Sequence, residues 1–182
     1  MKWKTLDSTY ISNHIYFTAR KDRAERPDGT IVDPYFVVEL PTAATAFALT
    51  EDEQVIMVRQ YRYPLAEILI ETPGGFVDEG ESFEAAMQRE LLEETGYTFS
   101  HIDYLGKLAA NPGVLNNYTE MFLATGGRKT GEQKLDHNED IEVLSFSIDE
   151  VIEMIKEQKI AQSIHVNCIM HALLKLGRLK FS

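Results

Sequence analysis

Through the first forty positions β-branched and aromatic residues are interspersed with polar ones, a strand pattern rather than a helical one. Residues 11–20 and 30–40 are two such stretches. Arg26-Pro27-Asp28-Gly29 between them supplies turn chemistry, and with residues 2–6 they predict a hairpin or a three-strand unit. Pro41 marks a seam. Residues 45–49 and 54–61 predict a second hairpin turning at Thr50-Glu51-Asp52-Glu53, and residues 67–71 a short strand stopped by Pro73-Gly74-Gly75. Strands recur at 102–108, 118–123 and 141–146, and helices at 148–158 and 163–176 close the chain. Strands with interspersed helices predict an α/β layered domain over residues 42–182, with residues 1–41 as an accessory antiparallel β unit.

Between those strands lies a helix whose pattern conflicts with itself. Ser82 is placed as its N-cap, Glu84 lies in its first turn and Gly96 is placed to end it. At about 100° per residue, Phe83, Met87 and Leu91 form an apolar stripe. Glu90 and Glu94 project into that stripe one turn apart, with Glu93 on its flank. Ionised carboxylates are costly to bury and repel at i,i+4, so a cation is expected between them. A glutamate-rich solvated face with Arg89 as local partner is the plain alternative. Pro73-Gly74-Gly75 lets backbone approach the helix and can present a carbonyl oxygen. All-oxygen ligands suit Mg²⁺ or Mn²⁺, and with no Cys/His cluster nearby zinc is not indicated.

Composition narrows the partners. The 182 residues carry 29 Asp+Glu against 18 Lys+Arg, a net charge of -11, which disfavours nucleic-acid binding. No stretch approaches the roughly 20 apolar residues that span a bilayer, and nothing at Met1-Lys2-Trp3-Lys4 resembles a signal peptide, so a cytoplasmic protein without membrane or nucleic-acid partners is expected. The single cysteine, Cys168, sits in an apolar helical stretch and reads as a buried structural thiol.

The stretch Gly75-Phe76-Val77-Asp78-Glu79-Gly80-Glu81, continued by Arg89-Glu90-Leu91-Leu92-Glu93-Glu94-Thr95-Gly96-Tyr97, resembles a complete Nudix box. Gly75, Glu81, Arg89, Glu90, Leu91, Glu93, Glu94 and Gly96 all fit it, and Tyr97 departs from the closing aliphatic position. The resemblance implies a Nudix-type α/β/α sandwich with a mixed sheet. It also implies metal ligation by Glu90 and Glu94 with support from Glu93, a carbonyl ligand from Gly74, and orienting roles for Glu81 and Arg89. The reaction it implies is hydrolysis of a pyrophosphate linkage without a covalent nucleophile.

Three features outside the box resemble ADP-ribose and nucleoside-diphosphate-sugar pyrophosphatases. In Val58-Arg59-Gln60-Tyr61-Arg62-Tyr63-Pro64 the second arginine reaches substrate in those relatives, so Arg62, with Arg59, is a candidate for a phosphate or sugar oxygen; surface pairing is the alternative for both. Asn111-Pro112-Gly113 places a loop proline where that group carries one. Leu135-Asp136-His137-Asn138-Glu139-Asp140 matches an acidic loop that supplies a metal ligand or the base that activates water. Glu139 is the first candidate and His137 the second. In such relatives the N-terminal strands pair with a second subunit and the shared surface holds the base, which implies a homodimer and makes Tyr35 and Phe36 stacking candidates. The expected substrate is ADP-ribose or a related nucleoside diphosphate sugar. Alternatives are an RNA 5′-end or nucleoside triphosphate pyrophosphohydrolase, or an inert ligand-sensing Nudix domain.

Overall fold

The computed structural model describes residues 1–14 and 17–179. The chain forms two compact units: residues 1–42 together with 109–118, and residues 43–108 together with those from 119 onward.

In the first unit β1 (Lys4–His14), β2 (Phe17–Glu25) and β3 (Ile31–Glu39) make an antiparallel sheet in that order. The single strand expected at 11–20 is the end of one strand and the start of the next, with His14 opposite Phe17. Residues 15 and 16, on which part of that expectation falls, lie outside the described residues. No Gly or Pro stands between Ile11 and Arg20 to mark a break, and the turn-forming pair Ser12-Asn13 was the signal passed over. The turn at 26–30 closes through Gly29 N–H on Arg26 O and Arg26 N–H on Thr30 O, both 2.9 Å, and Gly29 has φ 84°, which favours glycine. Segment 109–118 joins this unit along β3. Val38 N–H donates to Val114 O (2.8 Å), Asn116 N–H to Val38 O (3.2 Å) and Tyr35 Oη–H to Gly113 O (3.0 Å).

The second unit is built from β4 (Ala43–Thr50), β5 (Gln54–Arg62), β6 (Glu67–Glu71), β7 (Gly74–Phe76), α1 (Phe83–Thr95), β8 (Tyr97–Thr98), β9 (His101–Leu108), β10 (Thr119–Lys129), β11 (Ile141–Ser147), α2 (Ile148–Lys156) and α3 (Ser163–Lys175). Its eight-stranded sheet runs β11-β5-β4-β10-β8, with β6 beside β5, β7 beside β4 and β9 beside β10. The β4–β10 pair is parallel and its other pairs are antiparallel, so the sheet is mixed. Period-two alternation assigns the layers. Ala44, Ala46 and Ala48, with Ile56, Phe122 and Ala124, pack against Met87 and Leu91 of α1. Phe47, Leu49, Val55, Met57, Met121 and Leu123 point the other way, onto Val151 and Met154 of α2 and Cys168, Ile169, Ala172 and Leu173 of α3. The result is an α/β/α sandwich. Each large side chain buried in it contributes about 1.5–3 kcal/mol.

Two expectations need correction. Strand β6 does stop at Glu71 ahead of Pro73, but Gly74 and Gly75 then open a further strand that was not expected, β7, with Thr45 opposite Gly74 and Ala44 opposite Gly75. Phe83, placed on the buried stripe, is 45% exposed, and the stripe begins one turn later at Ala86 and Met87. Among the described residues no helix is long and apolar enough to cross a membrane.

Candidate active site

Helix α1 carries the acidic residues, and its ends are set by local chemistry. Ser82 Oγ accepts Ala85 N–H at 3.2 Å, and Gly96 at φ 74° ends the helix with its N–H on Leu92 O. The small side chains of Ala44, Ala46 and Ala48 in β4 let the helix lie close to the sheet. Glu90 and Glu94, on the same side as Met87 and Leu91, are thereby carried inward to 9% and 4% exposure.

Two glycines meet those carboxylates. Gly74 N–H donates to Glu94 Oε2 at 2.8 Å. A Cβ on Gly74 would lie 2.1 Å from Ala44 O, and its φ of 155° also favours glycine. A Cβ on Gly75 would lie 2.5 Å from the Glu90 carboxyl carbon, so the absence of a side chain there makes room for that carboxylate. Burial pushes the Glu90 carboxyl above its ordinary range. Arg89 opposes the shift, while the charges of Glu93 and Glu139 add to it. Burial likewise raises Glu94, to about 8; the Gly74 N–H and the Arg62 charge oppose this, and Glu90 and Glu139 reinforce it.

Arg89 ties the preceding loop to the helix. Its Nε and Nη2 donate to Glu81 (3.1 and 2.9 Å), Nη2 also to Phe76 O (3.1 Å), and Nη1 to Glu90 (2.8 Å) and Glu93 (3.1 Å). Glu81 in turn accepts Asp78 N–H at 3.3 Å and is held below its usual carboxylate range, chiefly by Arg89. Glu139 accepts Asp136 N–H at 2.9 Å within its own loop and is half-buried, whereas His137 is exposed.

Arg62 lies beside the site, because its charge reaches Glu94. Its Nε (3.0 and 3.2 Å) and Nη2 (2.5 Å) donate to Glu71, a carboxylate 1% exposed that also accepts Gln60 Nε2 at 3.1 Å. His165 Nε2 lies 3.8 Å from the same carboxylate. Sequence reasoning passed over both Glu71 and His165. The signal for Glu71 was an acidic residue ending an apolar strand beside a Pro-Gly-Gly stop; for His165 it was a polar residue on the stripe of Cys168, Ile169 and Ala172.

The structure therefore brings together Glu90, Glu94, Gly74, Arg89, Glu81 and Glu93, with Glu139 and Arg62 within charge reach. Arg59 turns to Glu142, its cross-strand neighbour, and both are exposed. Tyr35, Phe36 and Pro112 belong to the first unit. Among the described residues no three His, Cys, Asp or Glu side chains converge on one point as a closed metal cage. The donor chemistry nevertheless suits a divalent cation: two buried, mutually repelling oxygen donors held by one guanidinium and one N–H.

Comparisons with known proteins bear on the family and the fold. A model of the NUDIX domain matches residues 39–166, and one of the nucleoside diphosphate sugar hydrolase N-terminal domain matches residues 3–38. The chain is 30% identical over 173 residues to a methanol dehydrogenase activator of Bacillus methanolicus, covering 94% of this chain and 93% of that one. It is 29% identical over 140 residues to an ADP-ribose pyrophosphatase of Bacillus subtilis, covering 76% of each. A crystal structure of an ADP compounds hydrolase superposes with a TM-score of 0.85 over 98% of both chains at 19% identity, a likeness of fold.

Proposed function

The chain belongs to the NUDIX family, whose domain spans residues 39–166, and from that membership we propose that it hydrolyses the pyrophosphate bond of ADP-ribose or a related nucleoside diphosphate sugar with Mg²⁺ or Mn²⁺. It is a Nudix hydrolase, related to ADP-ribose pyrophosphatases. The observation that carries the proposal is the buried pair Glu90 and Glu94 set against Gly74 and Gly75.

Glu90 and Glu94, supported by Glu93 and a Gly74 carbonyl, would hold the cation. When bound, a divalent cation neutralises phosphate oxygens, stabilises charge on the leaving group and acidifies water. The chain's own residues do the rest. Arg89 and Glu81 hold the loop and helix in register. Arg62, backed by Glu71, offers its outer edge to a phosphate or sugar oxygen. Glu139 accepts the proton of the attacking water. A new bond forms from water oxygen to phosphorus as the bridging P–O bond breaks, giving a nucleoside monophosphate and a sugar phosphate. Tyr35, Phe36 and the Pro112 loop are the candidates for holding the base, in a cytoplasmic homodimer.

Chromatographic detection of nucleoside monophosphate formed from ADP-ribose, a sugar nucleotide, capped RNA and a nucleoside triphosphate tests this. Turnover is expected on the first two, abolished by EDTA and restored by Mg²⁺. Exclusive turnover of RNA or triphosphate would refute it. Glu139→Gln is expected to lose far more kcat than His137→Ala, and the opposite order moves the base to His137. Arg62→Ala is expected mainly to raise KM.

A second reading rests on the relative named a methanol dehydrogenase activator, matched over 94% of the chain. In that reading the hydrolysis serves to activate a dehydrogenase, and alcohol dehydrogenase turnover measured with and without this protein decides it.

A further inference from the structure

We propose that His165 is a positioning residue for the metal-binding carboxylates, acting from α3 through the hydroxyls of Thr72 and Thr45 on the Pro73–Gly74 turn. The inference rests on the reading of Glu90 and Glu94 as cation ligands.

His165 is 7% exposed, on the stripe that otherwise buries Cys168, Ile169 and Ala172. An imidazole there is tolerated because both nitrogens are satisfied. Nε2 lies 2.9 Å from Gln162 Oε1 and Nδ1 lies 2.7 Å from Thr72 Oγ1. An amide oxygen can only accept, so these partners assign the ring proton to Nε2, and Nδ1 accepts the Thr72 hydroxyl. Thr72 Oγ1 is then left to accept from Thr45 Oγ1 at 2.6 Å. The one Thr45 hydroxyl proton is thereby shared between Thr72 Oγ1 and Pro73 O, 3.0 Å away, the carbonyl that also accepts Ala46 N–H at 3.1 Å. The turn is thus held from the helix behind and the strand beside it.

The next two residues touch the carboxylates. Gly74 N–H donates to Glu94, and Gly75 lies against Glu90 with no room for a methyl group. A shift of Pro73 therefore moves the groups that orient both acids. Burial holds the His165 pKa near 4, so the imidazole stays neutral and keeps accepting across the neutral range. Outer partners of metal ligands are typically worth about 10–100-fold in metal affinity. This chain of hydroxyls occupies that place without touching the cation itself.

The test is calorimetric Mn²⁺ binding to metal-stripped protein, with Tm measured in parallel. His165→Leu keeps bulk but removes both hydrogen bonds, Thr72→Val removes one hydroxyl, and His165→Asn restores an amide near the position of Nδ1. Leu173→Ala damages α3 packing away from the chain of hydroxyls. His165→Leu and Thr72→Val are each expected to weaken Mn²⁺ binding about 10–100-fold. Their combination is expected to add little beyond either one, because both break the same link. His165→Asn is expected to recover most of the affinity, and Leu173→Ala to lower Tm without moving Kd. Should His165→Leu not fold, Thr72→Val and His165→Asn carry the comparison. Wild-type Kd in the folded variants, or weakening by Leu173→Ala in proportion to its lost Tm, overturns the inference and leaves the carboxylate assignment standing. Absence of Mn²⁺ binding by the wild-type protein overturns both.

Discussion

Burying Glu94 costs the fold stability in a way that pH reveals. Its folded pKa of about 8 stands above the ordinary 4.5, so between those values the folded state keeps a proton that the unfolded chain has released. Stability from this group is full below pH 4.5 and is lost as pH rises through 8. His165 has the opposite sign. Its folded pKa of about 4 lies below 6.5, so its contribution is full above 6.5 and is lost as pH falls toward 4. The two offset each other between 4.5 and 6.5, and above that Glu94 acts without the offset. After EDTA treatment the unfolding free energy is expected to be level from about pH 5 to 6.5 and then to fall by on the order of 1 kcal/mol per pH unit up to 8, with Tm following it. Glu94→Gln is expected to abolish that fall, raise Tm at pH 8, and lower kcat by orders of magnitude with Mg²⁺ present. A variant with near-normal turnover would remove Glu94 from the ligand set. These opposed titrations belong to one machinery: the acid that wants a counter-charge, and the base that braces the turn behind it.

At the scale of elements, the glycine turn is the most exacting part. Gly75→Ala would drive a methyl into the Glu90 carboxylate, and because that residue is 9% exposed its side chain has little room to yield. Overpacking of this kind costs about 1–3 kcal/mol. Mn²⁺ titration and thermal melts are expected to show both weakened binding and a lower Tm; unchanged binding would mean that Glu90 is not held by this contact. The turn also marks what was legible in the sequence. The helix, its caps and its misplaced glutamates were readable because a 3.6-residue period and a Ser/Gly pair are local signals. β7 was not, since a glycine pair carries no strand propensity and pairs with β4 for tertiary reasons. Glu71 and His165 were hidden likewise. They lie in α3 and β6, nearly a hundred residues apart in sequence, and no periodicity announces that they will meet. Arg62 was recognisable as a candidate, but its Glu71 anchor became visible only with the strand pairing of β5 and β6.

For the molecule as a whole, the sheet of the first unit leaves Tyr10, Ile11, Phe17, Ile31 and Phe36 exposed. Three strands with so much uncovered apolar surface suit a partner face. Sedimentation is expected to give a dimer at micromolar concentration, and a monomer there would count against pairing through residues 1–40. The same unit draws its last segment, residues 109–118, from the middle of the chain. On the ribosome this sets a schedule. At about 5–20 residues per second, strands β1 to β3 leave the tunnel several seconds before the segment that supplies Val114 O to Val38 and the Asn116 side chain to Leu40. During that interval the nascent sheet has one border unfinished, and a chaperone has its longest opportunity to bind it. Arrested chains ending just beyond residue 42 plus the tunnel are expected to be cut readily by protease within residues 1–42. Chains extended past residue 118 plus the tunnel are expected to resist, and equal resistance at both lengths would show that the three strands close without their late-arriving neighbour.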